Sequence, residues 1–286
     1  VTESTIDRQS GAGQSGGERA PHALVFDSGV GGLSVLREVA ALLPHVRLTY
    51  AADNAAFPYG LKTEDELVRR VSSVIRRLVD ETGPDIVVIA CNTASTTALD
   101  AVRRFLAIPV IGVVPAIKPA AAASRTRTIG LLGTRATVAS SYTRTLVDRF
   151  ADGCAVLTCG ATELVEAAER KLQGCAVDPE LVSSVLARLF GQPGGDRLDV
   201  VVLGCTHFPL LGPELARAAP QPVAWMDSGA AIARRVAALL GDSARVPAAF
   251  PPVSRLAIFT AQSDAVDRMR TGLRSFGIDP VCVSGG

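Results

Sequence analysis

Lysine is nearly absent from this chain of 286 residues, which has only Lys62, Lys118 and Lys171. Schiff-base chemistry on pyridoxal phosphate needs a lysine in the pocket. None of the three is well placed for it: Lys118 sits among prolines after an apolar run, Lys171 on a polar helical stretch and Lys62 after a turn. An excess of one charge is lacking too. The 29 Lys and Arg nearly cancel the 28 Asp and Glu, leaving +1, so no field points to nucleic acid or an acidic membrane surface. The most lipid-like stretch, Ile108 to Ala123, is interrupted by Pro109, Pro115, Lys118 and Pro119, so no membrane-spanning helix is expected. The six cysteines form no CxxC pair, which argues against a zinc ribbon or a disulfide framework, and no metal site is expected. The first residues lack the charged, apolar and small-residue regions of a secretory signal, so a cytoplasmic setting with reduced thiols is the expectation.

What is present is a soluble globular composition, 48% apolar and 20% charged, long enough for about two domains. Residues 1–21, rich in Gly, Ser, Gln and Thr, are expected to be a disordered tail. From His22 onward, apolar runs alternate with helix-period segments. The runs are Ala23–Phe26, Leu48–Ala51, Asp85–Ala90, Val110–Val114, Thr128–Leu132, Ala155–Thr158 and Leu198–Gly204. Continuous Val, Ile and Leu runs suit strands covered on both faces, hence a mostly parallel sheet. Leu67, Val71, Val74, Ile75 and Leu78 form one apolar helical stripe, and Leu181 to Phe190 another. The implied fold is α/β with doubly wound sheets.

An internal repeat sharpens this. Val87-Val-Ile-Ala-Cys-Asn-Thr93 reads against Val201-Val-Leu-Gly-Cys-Thr-His207: each is an apolar strand ending in a cysteine followed by small polar groups. Two pseudo-symmetric halves would face each other with their strand C-termini, making the cleft between them the expected site. The turn Asp27-Ser28-Gly29-Val30-Gly31-Gly32 opens a helix, so its N–H groups suit an anion. As a dinucleotide fingerprint it is weak, because Ser34 occupies the third glycine position and Asp27 would repel pyrophosphate; a carboxylate substrate fits better.

Cys91 and Cys205, one from each half, suggest two bases acting on opposite faces of one carbon, the geometry of racemisation. A thiol pKa near 8.5 leaves a gap of roughly ten units to an amino-acid α-proton, about 14 kcal/mol, which lies within the reach of enzymes. His207 is placed to relay the proton of Cys205, and Asp27 that of Cys91. Asn92, Thr93 and Thr206 supply donors for an α-carboxylate. With no suitable lysine, a cofactor-independent route is the simpler reading.

These residues resemble the cofactor-independent glutamate racemases of bacterial cell-wall synthesis. The blocks that carry the resemblance are Phe26-Asp-Ser-Gly-Val-Gly-Gly-Leu-Ser-Val35, Ala52-Asp-Asn-Ala-Ala-Phe-Pro-Tyr-Gly60, Ala90-Cys-Asn-Thr-Ala-Ser95, Leu203-Gly-Cys-Thr-His-Phe-Pro-Leu-Leu211 and Asp227-Ser-Gly229. The resemblance implies that Cys91 deprotonates D-glutamate and Cys205 L-glutamate, with Asp27 and His207 assisting. It implies substrate contacts from Asp27, Ser28, Pro58, Tyr59, Gly60, Asn92, Thr93, Thr206 and His207, with Thr134 and Thr137 as further contacts. It also implies a first domain of residues 22–113 plus 224–286, a second of 114–223, a homodimer, and D-glutamate delivered to peptidoglycan synthesis. The segment Cys159–Glu166 departs from the family's proline-rich, aromatic pattern; Glu163 or Glu166 is a candidate to reach toward His207. The competing readings are an aspartate racemase or related two-cysteine isomerase, an amino-acid binding protein, and a thiol redox protein. The His207-Phe-Pro sequence after Thr206 favours glutamate over aspartate.

Overall fold

The computed structural model describes residues 19–241 and 255–283, so most of the expected N-terminal tail lies outside the described residues. Residues ahead of His22 already belong to the fold, however. Pro21 is buried and its carbonyl accepts the Arg47 N–H, while Arg19 pairs with Asp85. The tail reading missed these residues because their partners lie far along the chain.

The first half runs β1 (His22–Asp27), α1 (Leu33–Leu42), β2 (Arg47–Ala52), α2 (Glu64–Thr82), β3 (Ile86–Ile89), α3 (Asn92–Phe105) and β4 (Val110–Gly112). Through α4 (Ile117–Ala123) the chain enters β5 (Thr128–Gly133), α5 (Arg135–Ala139), α6 (Ser141–Phe150), β6 (Ala155–Gly160), α7 (Glu163–Leu172), α8 (Pro179–Phe190), β7 (Val200–Leu203), α9 (Gly212–Ala218) and β8 (Ala224–Met226). It returns by α10 (Gly229–Leu240), β9 (Arg255–Phe259), α11 (Asp264–Arg274) and β10 (Ile278–Val283).

Two sheets result, in the orders β10-β9-β2-β1-β3-β4 and β6-β5-β7-β8. Every recorded pairing is parallel. The order β2-β1-β3-β4 matches β6-β5-β7-β8 strand for strand, which is the repeat seen in sequence. The unbroken apolar runs have the expected cause. In β1, Ala23 and Val25 face one core while Leu24 and Phe26 face another; Ile86 and Val88 alternate with Val87 and Ile89 in β3 in the same way. Helix ends follow local chemistry. Thr63 and Glu66 form a reciprocal cap on α2, and Gly83 ends it in the left-handed conformation at φ 55°.

The expected boundary at residue 223 falls a few residues early. Ala224–Met226 forms β8 and pairs with β7, so it completes the second sheet; the return begins with α10, whose Ile232, Ala233 and Val236 share a core with α1. Three residues are too short a run for periodicity to assign to either side. Strands β9 and β10 were not legible as strands either: β10 contains Pro280, which an edge position tolerates.

On the return, α11 packs against α7 at Gly272, where a Cβ would lie 2.4 Å from the Leu172 carbonyl oxygen. Alanine there gains up to about 1 kcal/mol of helix propensity. Forcing the two backbones apart costs about 1–3 kcal/mol. Gly272→Ala is therefore expected to lower the urea midpoint; a raised midpoint would show that the helices have room to spare.

Candidate active site

Both cysteines sit two residues beyond matching strands of the two sheets: Cys91 after β3 and Cys205 after β7. These are the C-terminal edges beside β1 and β5, where helices leave on opposite faces and a crevice opens. Both are buried, at 6% and 7% exposure. They line one small cavity together with Ser28, Pro58, Tyr59, Gly60, Asn92, Thr93, Thr134, Thr137, Thr206 and His207. The structure thus gathers nearly every residue singled out from sequence. The exception is Asp27, which is fully buried just behind the wall.

Around Cys91 the environment opposes charge. Burial pushes the thiol well up, and the nearby Asp27 carboxylate pushes it further; the Ala94 backbone N–H and the Ser28 hydroxyl oppose this. The Ser28 Oγ lies 3.7 Å from the sulfur and also donates to Asp27 Oδ1, at 3.3 Å. Asp27 in turn accepts the Ser28 N–H at 2.6 Å, the Gly32 N–H and the Thr206 hydroxyl at 3.3 Å. Burial raises the Asp27 carboxyl, with the His207 charge and these N–H donors pulling the other way.

Around Cys205 the arrangement is different. His207 Nδ1 lies 3.7 Å from its sulfur, and His207 Nε2 lies 2.8 Å from Glu169 Oε1. An ionised Glu169 only accepts, so Nε2 carries a hydrogen and Nδ1 is left to accept the thiol proton. Burial alone would lower the imidazole pKa, but Cys205 and Glu169 outweigh it and raise it well above its usual value. His207 is therefore placed to hold a proton beside the Cys205 sulfur.

Glu169 is the site residue that sequence reading missed. Glu163 instead pairs with Arg188, and Glu166 is exposed, so neither fills the expected place beside His207. The available signal was helical phase. Leu164, Val165 and Ala168 face the core, and Glu169 lies one turn beyond Val165 on that inward side. The same Glu169 oxygen accepts the Val30 N–H at 2.8 Å, tying α7 to the turn after β1. That turn needs its glycine: a Cβ on Gly31 would stand 2.4 Å from His207 Nδ1. Asn92 spans the cleft too, donating to the Gly204 carbonyl, while its buried Oδ1 has no partner among the described residues. An unpartnered acceptor on a residue that lines the cavity suits an ammonium group. Among the described residues no group of three or more His, Cys, Asp or Glu is arranged to hold a metal ion.

The family model of the Asp/Glu/Hydantoin racemases matches residues 32–236. This chain belongs to that family. Among Asp/Glu/Hydantoin racemases, a glutamate racemase of Yersinia pseudotuberculosis is 45% identical over 96% of this chain and 94% of its own length. One of Sphingopyxis alaskensis is 47% identical, over 92% and 97% respectively. The crystal structure of the Escherichia coli glutamate racemase, in complex with L-glutamate and the activator UDP-MurNAc-Ala, superposes with a TM-score of 0.86 at 43% identity, covering 93% of this chain and 98% of that one.

Replacing Glu169 by Gln removes the negative charge beside Nε2, so the His207 pKa is expected to fall. A titration of the imidazole followed by NMR reads this directly; an unchanged midpoint would mean that Cys205 alone holds the proton on His207.

Proposed function

We propose that this chain is a glutamate racemase, interconverting L- and D-glutamate by proton removal and return at the α-carbon without a cofactor. The observation that carries the reading is the pair of thiols lining one cavity in opposite electrostatic settings. Identity of 45–47% to glutamate racemases over nearly the whole chain supports the substrate.

In the proposed cycle Cys205, its proton passed to His207, is the thiolate. It takes the α-proton of L-glutamate and becomes a thiol. The electron pair left behind spreads into the α-carboxylate, where N–H groups at the start of α3 and the Thr93 hydroxyl would receive the charge. Cys91, kept protonated by burial and by Asp27, delivers its proton to the opposite face and is left as the thiolate, ready to take a proton from D-glutamate. His207 and Asp27 then redistribute the protons between turnovers. Asn92 Oδ1 would accept from the α-ammonium, and the Pro58–Gly60 segment, with Thr134 and Thr137, would bound the side chain. The further setting belongs to the same reading: a cytoplasmic homodimer supplying D-glutamate for peptidoglycan. Among the described residues no helix is long and apolar enough to cross a membrane.

Circular dichroism of the purified protein with L-glutamate, and with L-aspartate in parallel, tests this. Optical activity is expected to decay to zero with glutamate alone. Cys91→Ala and Cys205→Ala are each expected to remove racemisation with thermal unfolding unchanged, since removing one acid–base group costs at least about 10²–10⁴-fold. Decay with aspartate alone would move the specificity to the aspartate racemases, and an active single mutant would sink the two-thiol mechanism.

A further inference from the structure

The segment from Asn54 to Leu61 carries Pro58, Tyr59 and Gly60 to the cavity, yet it pairs with no strand. Asn54 and Ala55 at its start are tied to Ala261 and Thr260, but from Ala56 onward its backbone hydrogen bonds are short-range turns, such as Ala56 N–H to the Asp53 carbonyl and Lys62 N–H to the Tyr59 carbonyl. Leu61 at its tip is 81% exposed. Bonds of that kind shape a loop without fixing it to the body of the protein. Side chains must do the fixing.

One buried carboxylate supplies the hold beside the cavity. Asp53 is fully buried one residue beyond β2, and its N–H donates to the Asp27 carbonyl at 2.9 Å, so its backbone is fixed to the end of β1. Its Oδ2 accepts the Tyr59 hydroxyl at 2.6 Å and Arg70 Nε at 2.9 Å. Its Oδ1 accepts Arg70 Nη2 at 2.6 Å and the Thr260 hydroxyl at 2.7 Å. Both oxygens are occupied by protein donors, so Asp53 has no capacity left for a ligand. The Tyr59 hydroxyl is likewise committed to Asp53, not to the cavity. Burial alone would raise the Asp53 carboxyl, but Arg70, Tyr59 and Thr260 hold it below its usual value, so the carboxylate stays charged.

We infer that Asp53, clamped by the two-point contact from Arg70, is the positioning residue for the Pro58–Gly60 wall of the cavity. It acts on substrate binding through Tyr59 and touches no reacting atom. The effect on glutamate rests on the racemase reading above; the effect on the loop does not.

Arg70 is the place to test this, because it lies on α2 outside the cavity with 38% of its side chain exposed. In Arg70→Met the KM for L-glutamate is expected to rise about tenfold with kcat within about twofold. Amide hydrogen exchange across residues 54–61 of the unliganded protein is expected to quicken by about the same factor, the factor corresponding to one lost charged hydrogen bond. Arg70→Lys, which keeps the charge but not the two-point contact, should recover part of both. Tyr59→Phe, which deletes only the hydroxyl, should reproduce both effects if Arg70→Met does not fold. The inference is overturned if exchange is unchanged, if it quickens while KM stays at the wild-type value, or if kcat falls with KM unmoved. Should wild-type protein leave glutamate untouched, the racemase reading fails, and the exchange measurement alone decides the positioning role.

Discussion

The structure depends on the hydrogen bonds that cross between its two halves. Ser34 Oγ donates to the Thr206 carbonyl, Asn92 Nδ2 to the Gly204 carbonyl, Thr206 Oγ1 to Asp27, and the Val30 N–H to Glu169. Each involves a residue within a few positions of a strand end that bears Cys91, Cys205 or Asp27. Each half alone would present a thiol at an open sheet edge. Only the crossing bonds set the two thiols against one cavity, and several of them run to backbone atoms, so side-chain changes elsewhere do not easily displace them.

Near symmetry of the backbone is combined with asymmetry of charge. Strand for strand the two sheets match, and both cysteines occupy the same place in them. What differs is the partner: a buried carboxylate near Cys91, an imidazole beside Cys205. A reaction that removes a proton from one face and returns one to the other needs one base and one acid at any moment. In the proposed cycle that difference comes from neighbours, while equivalent positions keep the two sulfurs equally able to reach the carbon.

Helix α7 holds the Cys205 side from two directions. Its Glu169 fixes the His207 ring, and two residues on, Lys171 donates to the Leu210 carbonyl and Glu214, gripping the turn that follows. The helix in turn leans on Gly272 of α11, so the C-terminal return reaches His207 through packing. On the Cys91 side the corresponding support is Asp53, with Thr260 from just beyond β9 among its partners. Both sides of the cavity therefore draw on the segment that rejoins the first sheet.

By itself the sequence determined the α/β class, the first seven strands, the repeat and the pairing of Cys91 with Cys205. Each rests on a pattern of neighbouring residues: apolar runs covered on both faces, and polar groups that follow a strand end. The turn at Asp27 and the polar groups after each cysteine were legible for the same reason. What only the tertiary structure decided is the set of long-range partners. That Glu169 rather than Glu163 or Glu166 meets His207 depends on how α7 is rotated against the turn that follows β7, a choice among three carboxylates of like chemistry. That Asp53 holds Tyr59 depends on α2 bringing Arg70 back over the loop. The placing of β8 in the second sheet, and of β9 and β10 beside β2, depends on hydrogen bonds to strands far away in the chain. Runs of a few residues carry too little periodicity to specify such pairings, because their stability comes from the neighbouring strand and not from their own composition.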